Sequence, residues 1–179
     1  MGEPALHPPV MALMAAFSRH DAALDWARAR LVEQMGPLAL ESPRFAFEET
    51  DYYTATMGAG LRKTFFALQT PFDPADLAEW KLAANRWEAE YAALGRHEEQ
   101  RPLNLDPGYL TAAKLVLAST KDFAHRIYLR QGIYAEITLC YRRHAWQHHE
   151  FTFPDYRRAD YQQFFSACRD WLQRQTRGG

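Results

Sequence analysis

Cysteine is scarce in this chain: Cys140 and Cys168 are the only two among 179 residues, and no CxxC occurs. That excludes a disulfide scaffold and a four-cysteine zinc site. Neither thiol has an obvious histidine partner in the sequence, and both suit buried positions. Long apolar runs are lacking too. The run VMALMAAF, from Val10 to Phe17, is far too short to span a bilayer, and no Lys or Arg precedes it as a secretory signal requires. A reducing, cytoplasmic setting is expected, with no membrane partner. Net charge is nearly absent, at -1, so bulk electrostatics give no preference for nucleic acid. There is no internal repeat, no low-complexity segment and no Gly-x-Ser-x-Gly elbow. MGAGLRKT, Met57 to Thr64, lacks the Gly that a phosphate loop needs directly before its Lys, and it sits between two expected strands. In STKD, Ser119 to Asp122, Lys and Asp are adjacent rather than separated, unlike a guanine-specificity motif.

What is present describes one domain, residues 1–179, long enough to bury a real core. Hydrophobic residues make up 47% and charged residues 24%, a globular balance. Eleven Phe and nine Tyr favour sheet-rich packing. Charge is uneven along the chain. Up to Thr120 there are 11 basic and 16 acidic residues, a net of -5; from Lys121 there are 10 and 6, a net of +4. The basic third is a weak attractor for an anionic ligand.

The pattern predicts a strand over Val10–Phe17, apolar on both alternating faces. A helix follows, capped by Ser18 or Asp21, with Leu24, Ala27, Leu31 and Met35 inward and Gly36-Pro37 ending it. Strands are expected over Arg44–Tyr53 and Leu61–Leu68, with the glycines between them in a turn. Asp73 and Pro74 start a second helix whose stripe is Leu77, Trp80, Ala84, Trp87, Tyr91 and Leu94. Lys81, Asn85 and Glu88 lie side by side at its edge. They read first as a solvated flank, with a cleft-facing edge as the alternative. Asp106-Pro107-Gly108 reads as a turn or a short helix start. Lys114–Ser119 reads as a continuous apolar strand, followed by a hairpin and a last helix over Ala159–Gln175. The expected fold is α+β: a ferredoxin-like split βαβ sheet with an added C-terminal β-hairpin and a terminal helix. The hairpin would cover the edge of the Lys114–Ser119 strand.

The hairpin register divides the charges. A three-residue loop Arg130-Gln131-Gly132 pairs Leu129 with Ile133, Ile127 with Ala135, and Tyr128 with Tyr134. Arg126 then faces Glu136 as a cross-strand ion pair, while His125 falls on the apolar face opposite Ile137. A two-residue loop would pair Ile127 with Glu136 and mix the faces, so the longer loop is preferred.

Four loops rich in Asp, Tyr and cations are candidates to converge on a site. They carry Asp51, Tyr52 and Tyr53; Asn104, Asp106 and Tyr109; Lys121, Asp122, His125 and Arg126; and Asp155, Tyr156 and Arg157. Each residue alone has a plainer role, as a cap, a turn residue or a satisfied core histidine. His144, His148, His149 and Glu150 read as a surface loop rather than a zinc site.

At these residues the chain resembles a bacterial family, domain of unknown function 4416. The matching stretches are TDYY at Thr50, MG at Met57, Lys81 with Asn85 and Glu88, and NLDPGYL at Asn104. The longest are KLVLASTKD with HRIYL over Lys114–Leu129, GIYAEITL over Gly132–Leu139, and FPDYR at Phe153. The family pattern expects Glu before Met57, where this chain has Thr56, which puts Thr56 outside any inferred site. The resemblance covers nearly the whole chain, implies one intact domain and carries no activity.

Three functions fit. In the first, the protein binds or acts on a small phosphorylated or anionic compound. Lys121 and Arg126 hold the anion, and Asn104, Tyr109, Tyr53 and Arg157 complete the pocket. His125 is the general acid or base, oriented by Asp51 or Asp106. No metal ligand set is assigned, although Asp51, Asp106 and Glu136 would suit a hard divalent ion in a variant of this reading. In the second, less favoured, Tyr128 and Tyr134 beside Arg126 stack the bases of a nucleic acid. In the third the polar cluster is a buried ion-pair network in a structural or partner-binding protein. The residues name no cofactor and no oligomeric state.

Overall fold

Nine consecutive buried residues, Val10–Ser18, form the central strand β1. Alternation along a strand sends neighbouring side chains to opposite faces, and both faces of β1 are covered. Ala12, Met14 and Ala16 pack against helices α1 (Asp21–Met35) and α3 (Leu77–Ala93). Met11, Leu13 and Ala15 pack under Tyr161, Phe164, Phe165 and Cys168 of α4 (Ala159–Arg177). The result is a three-layer arrangement, helices on both sides of one antiparallel sheet. In this computed structural model, residues 2, 3, 5, 7, 8, 10–50 and 52–177 are described.

The other strands are β2 (Leu38–Glu41), β3 (Phe45–Ala46), β4 (Arg62–Phe72), β5 (Asn104–Leu110), β6 (Lys114–Ser119), β7 (Ile127–Arg130), β8 (Ile133–Arg142) and β9 (Ala145–His148). Their order is β2-β4-β1-β5-β6-β8-β7, with β3 beside β4 and β9 beside β8. Both β1 and β2 run antiparallel to β4, which lies between them. Helix α1 therefore connects two parallel strands across an inserted one, and α3 leads from β4 to β5 on the other side of β1.

A one-turn helix α2 (Thr54–Met57) lies between β3 and β4, and the longer helices follow the sequence pattern. Ala23, Leu24, Ala27 and Leu31 are buried on α1, although Ser18 does not cap it: its hydroxyl donates to Pro102 O at 2.6 Å. Asp73 accepts from Ala75 N at 2.9 Å, heading a 3-10 turn that feeds α3. Two strand expectations are corrected. Among the described residues of the expected Arg44–Tyr53 strand, only Phe45–Ala46 is strand, and β2 lies earlier, ahead of Pro43. Asp106-Pro107-Gly108, expected as a turn or a short helix start, lies inside the strand β5 at the heart of the sheet.

Pro107 masked that strand, since proline cannot donate to a ladder. The structure shows how it is tolerated. β5 pairs with β1 along its whole length, but with β6 only from Gly108 to Leu110. On one flank of Pro107 there is no ladder to supply. Gly108 marks the point of divergence: a Cβ there would stand 2.3 Å from Val116 O and 2.7 Å from a Leu117 methyl. The strands touch closely at Gly108 and separate before it, toward Asn104.

The hairpin β7–β8 extends the sheet through β8, which pairs with β6. Ile127 pairs with Ala135 and Tyr128 with Tyr134, as the register argument requires. The loop is shorter than expected. Gln131 and Gly132 both have positive φ, 52° and 75°, as in a two-residue primed turn. Arg130 pairs with Ile133, and an irregularity between Tyr128 and Arg130 restores the register. A bulge thus supplies the residue that the longer loop was meant to provide.

Candidate functional site

The split between β5 and β6 opens into a cavity of about 630 Å³, within the range typical of small-molecule sites. It sits where β1 and β6 end and β4 and β5 begin. Phe17, at the end of β1, is opposite both Lys63 and Asn104. Alternation places Lys63 (two before Phe65), Asp106 (opposite Ala15) and Glu136 (opposite Leu117) on the α4 side of the sheet. Loop residues Phe47, Tyr53, Phe123 and Phe153 supply aromatic walls.

Among the described residues, five cations and five carboxylates line the cavity. Three pairs are at its base. Lys63 is bonded to Asp155, both side chains 4% exposed. The Lys63 ammonium also lies 4.1 Å from the Phe47 ring centroid and 4.9 Å from that of Phe17. Arg126 Nε donates to Glu136 Oε2 at 2.7 Å, with side chains 2% and 1% exposed. Lys81, from the opposite layer, donates to Leu105 O at 2.7 Å and Asp106 Oδ1 at 3.1 Å. A fourth pair, Arg101–Glu88, closes at 2.8 Å, and Glu88 Oε1 accepts from Leu105 N at 2.7 Å. Glu49 is held from outside the lining by Arg158 at 2.8 Å.

These environments tune the carboxyls in opposite directions. Burial pushes the Asp106 carboxyl up, but Lys81, Lys63 and Arg101 together outweigh it and hold it below the ordinary range. For Glu88 burial dominates over Lys81 and Arg101, and its carboxyl is raised.

Lys121 is the exception. Among the described residues it has no carboxylate partner. Its Nζ donates to Tyr52 Oη at 2.7 Å and lies 4.2 Å from that ring's centroid. The ammonium lowers the Tyr52 phenol pKa. The contact joins two lining segments, one carrying Thr50, Tyr52 and Tyr53 and the other Thr120 and Lys121. Arg126 prepares that second segment: its Nη1 donates to Ser119 Oγ at 2.7 Å and to Lys121 O at 3.0 Å.

The expected site residues are partly assembled. Asp106, Asn104, Tyr53, Lys121 and Arg126 line the cavity. Asn104 Nδ2 donates to Asp106 Oδ2 at 2.9 Å, fixing that carboxylate's second oxygen. Asp51 lies outside the described residues. His125 is set behind the wall: its Nε2 is 3.2 Å from Glu136 Oε2, and its ring stacks on Phe151 at 4.3 Å. Its carboxylate partner is therefore Glu136, not Asp106. Tyr109 is partly buried against the α1 and α3 core. Arg157 donates to Thr152 O and Glu150 O and braces its own loop.

Lys81, Asn85 and Glu88 form a cavity wall, not a solvated flank. Lys63 and Arg101 were missed. A lysine inside the apolar run of β4 was the available signal for Lys63; Arg101 sits in a loop with none. Cys140 does have a histidine partner, since His149 Nε2 is 3.4 Å from its sulfur; the hairpin β8–β9 creates that contact. Beside the exposed Tyr128, the base-stacking arrangement lacks its cation, because Arg126 is buried on Glu136.

A family model described as a domain of unknown function (DUF4416) matches residues 8–171. No curated protein and no solved structure matches the chain. Among the described residues no helix is long and apolar enough to cross a membrane.

Proposed function

The chain belongs to the domain of unknown function 4416 family, and from that premise we propose that it binds a small anionic compound, a phosphate ester or a carboxylate, in the cavity between β5 and β6. The observation that carries this reading is Lys121. Among the described residues, the other four lining cations are each matched to a carboxylate, whereas Lys121 meets the phenol of Tyr52 and no carboxylate. An incoming anion supplies a charge partner that the described residues do not, and a charge-assisted bond is stronger than the one to Tyr52. The aromatic walls cover an apolar body. Arg126 acts as a positioning residue, holding the turn that presents Lys121.

We also infer a ferredoxin-like split βαβ core. The order β2-β4-β1-β5, with α1 and α3 as the two crossovers, supports it.

Isothermal titration with inorganic phosphate, a sugar phosphate and a dicarboxylate tests the ligand class. At least one is expected to bind the wild type. Lys121→Ala should weaken that ligand more than tenfold, while Lys121→Arg retains most of the affinity. Absence of heat with every anion, or binding indifferent to Lys121→Ala, would overturn the proposal.

A further inference from the structure

A second group of ligating side chains lies outside the cavity. His20 stands just before α1, and His97 and Glu99 lie on the loop after α3. Their donor atoms all fall within 4.8 Å of one another, and all three residues are partly exposed. We propose that this group is a binding site for a divalent transition ion of the zinc type, with a fourth position open to water.

The chemistry suits borderline cations, because two imidazoles and a carboxylate are a common three-ligand set for zinc. His20 Nε2 and Glu99 Oε2 are 2.9 Å apart. Tetrahedral zinc requires a donor separation of about 3.4 Å, a widening of a few tenths of an ångström. Glu99 is already oriented as ligating carboxylates are: Arg19 Nη1 holds Oε1 at 3.1 Å and leaves Oε2 for the ion. Tyr91 Oη holds His97 Nε2 at 2.9 Å, which leaves Nδ1 as the free nitrogen. Tyr91 is a buried core residue, so its hydroxyl is a fixed point about which the His97 ring can turn.

A second, larger rearrangement is needed. The His97 ring is stacked on His20, centroids 3.7 Å apart and planes 14° from parallel, so the two lone pairs do not yet converge. His97 tilts out of the stack to bring its nitrogen onto the ion. The alternative histidine cluster, His144, His148 and His149, is spread along the β8–β9 hairpin, where His149 is engaged with Cys140.

Titration with Zn²⁺ in a non-chelating buffer tests the site, with Co²⁺ absorption reporting the ligand field. One equivalent is expected to bind. His97→Ala, and separately Glu99→Gln, should lower affinity at least tenfold and change the Co²⁺ spectrum. His148→Ala/His149→Ala should bind as the wild type does. Circular dichroism without metal confirms that each variant is folded, and His97→Gln serves if His97→Ala is not. Failure of the wild type to bind, binding unaffected at His97, or binding lost with His148 and His149, each overturns the assignment.

Discussion

The side chains at the base of the cavity are charged where an apolar core would be simpler. Taking a pair of ions out of water costs several kcal/mol per ion, and their attraction restores this only when geometry is good and every lone pair is engaged. The Arg126–Glu136 pair meets that condition: the guanidinium also bonds Ser119 and Lys121 O, and the carboxylate accepts from Thr138 Oγ1 and faces His125. Arg126→Ala strands a buried carboxylate, so it should destabilise by about 3–5 kcal/mol in urea titrations. An Arg126→Met/Glu136→Leu double variant should recover much of that loss. If the double variant is as unstable as the single one, the buried charge was not the cause. At Asp106 the folded carboxyl is depressed, so its stabilisation is complete above about pH 4 and lost as pH falls through the depressed value. Asp106→Asn should therefore flatten the acid limb of stability against pH below about pH 4. Tryptophan fluorescence across an acid titration reads this, and an unchanged limb argues against the assignment.

At the level of elements, the sequence made most helices and half the strands legible for a simple reason. Where one physical signal acts alone, as the 3–4 spacing along α3 or the double-faced apolar run of β1, the pattern and the structure agree. Where two signals conflict, the local one misleads. Asp106-Pro107-Gly108 has turn chemistry, yet pairing with β1 makes it a strand, and the parting from β6 removes the objection to proline. In the hairpin the turn is shorter than expected, and the bulge that corrects for it has no marker in Leu129 or its neighbours. Gly108 belongs to this scale, because it sets how near two strands approach. Gly108→Ala should cost about 1–3 kcal/mol by overpacking, measured as a lowered urea midpoint with unchanged slope. A neutral result would mean that the strands part without strain.

Across the whole molecule, the site was half legible. The residues read from loops, Asn104, Asp106, Tyr53, Lys121 and Arg126, do meet in one cavity. What the sequence could not supply was distance across the fold. Lys63 and Asp155 are 92 residues apart, Lys121 and Tyr52 are 69 apart, and no local pattern couples them. His125 was singled out because it is a titratable group on an apolar face, but burial beside Glu136 is an equally good home for such a group. The reading as a purely structural ion-pair network accounts for the four matched pairs and leaves Lys121 only its loop-joining contact with Tyr52.

The near balance of charge around the cavity has a kinetic consequence. Among the described residues, five cations set against five carboxylates leave little net charge at the mouth, so the proposed anion would be recognised on arrival and not drawn in from afar. Association should then proceed at an unsteered rate, on the order of 10⁵–10⁷ M⁻¹s⁻¹, and change little between low and moderate salt in stopped-flow experiments. On the proposed function, variants at Lys121 should reveal themselves in how quickly the anion leaves.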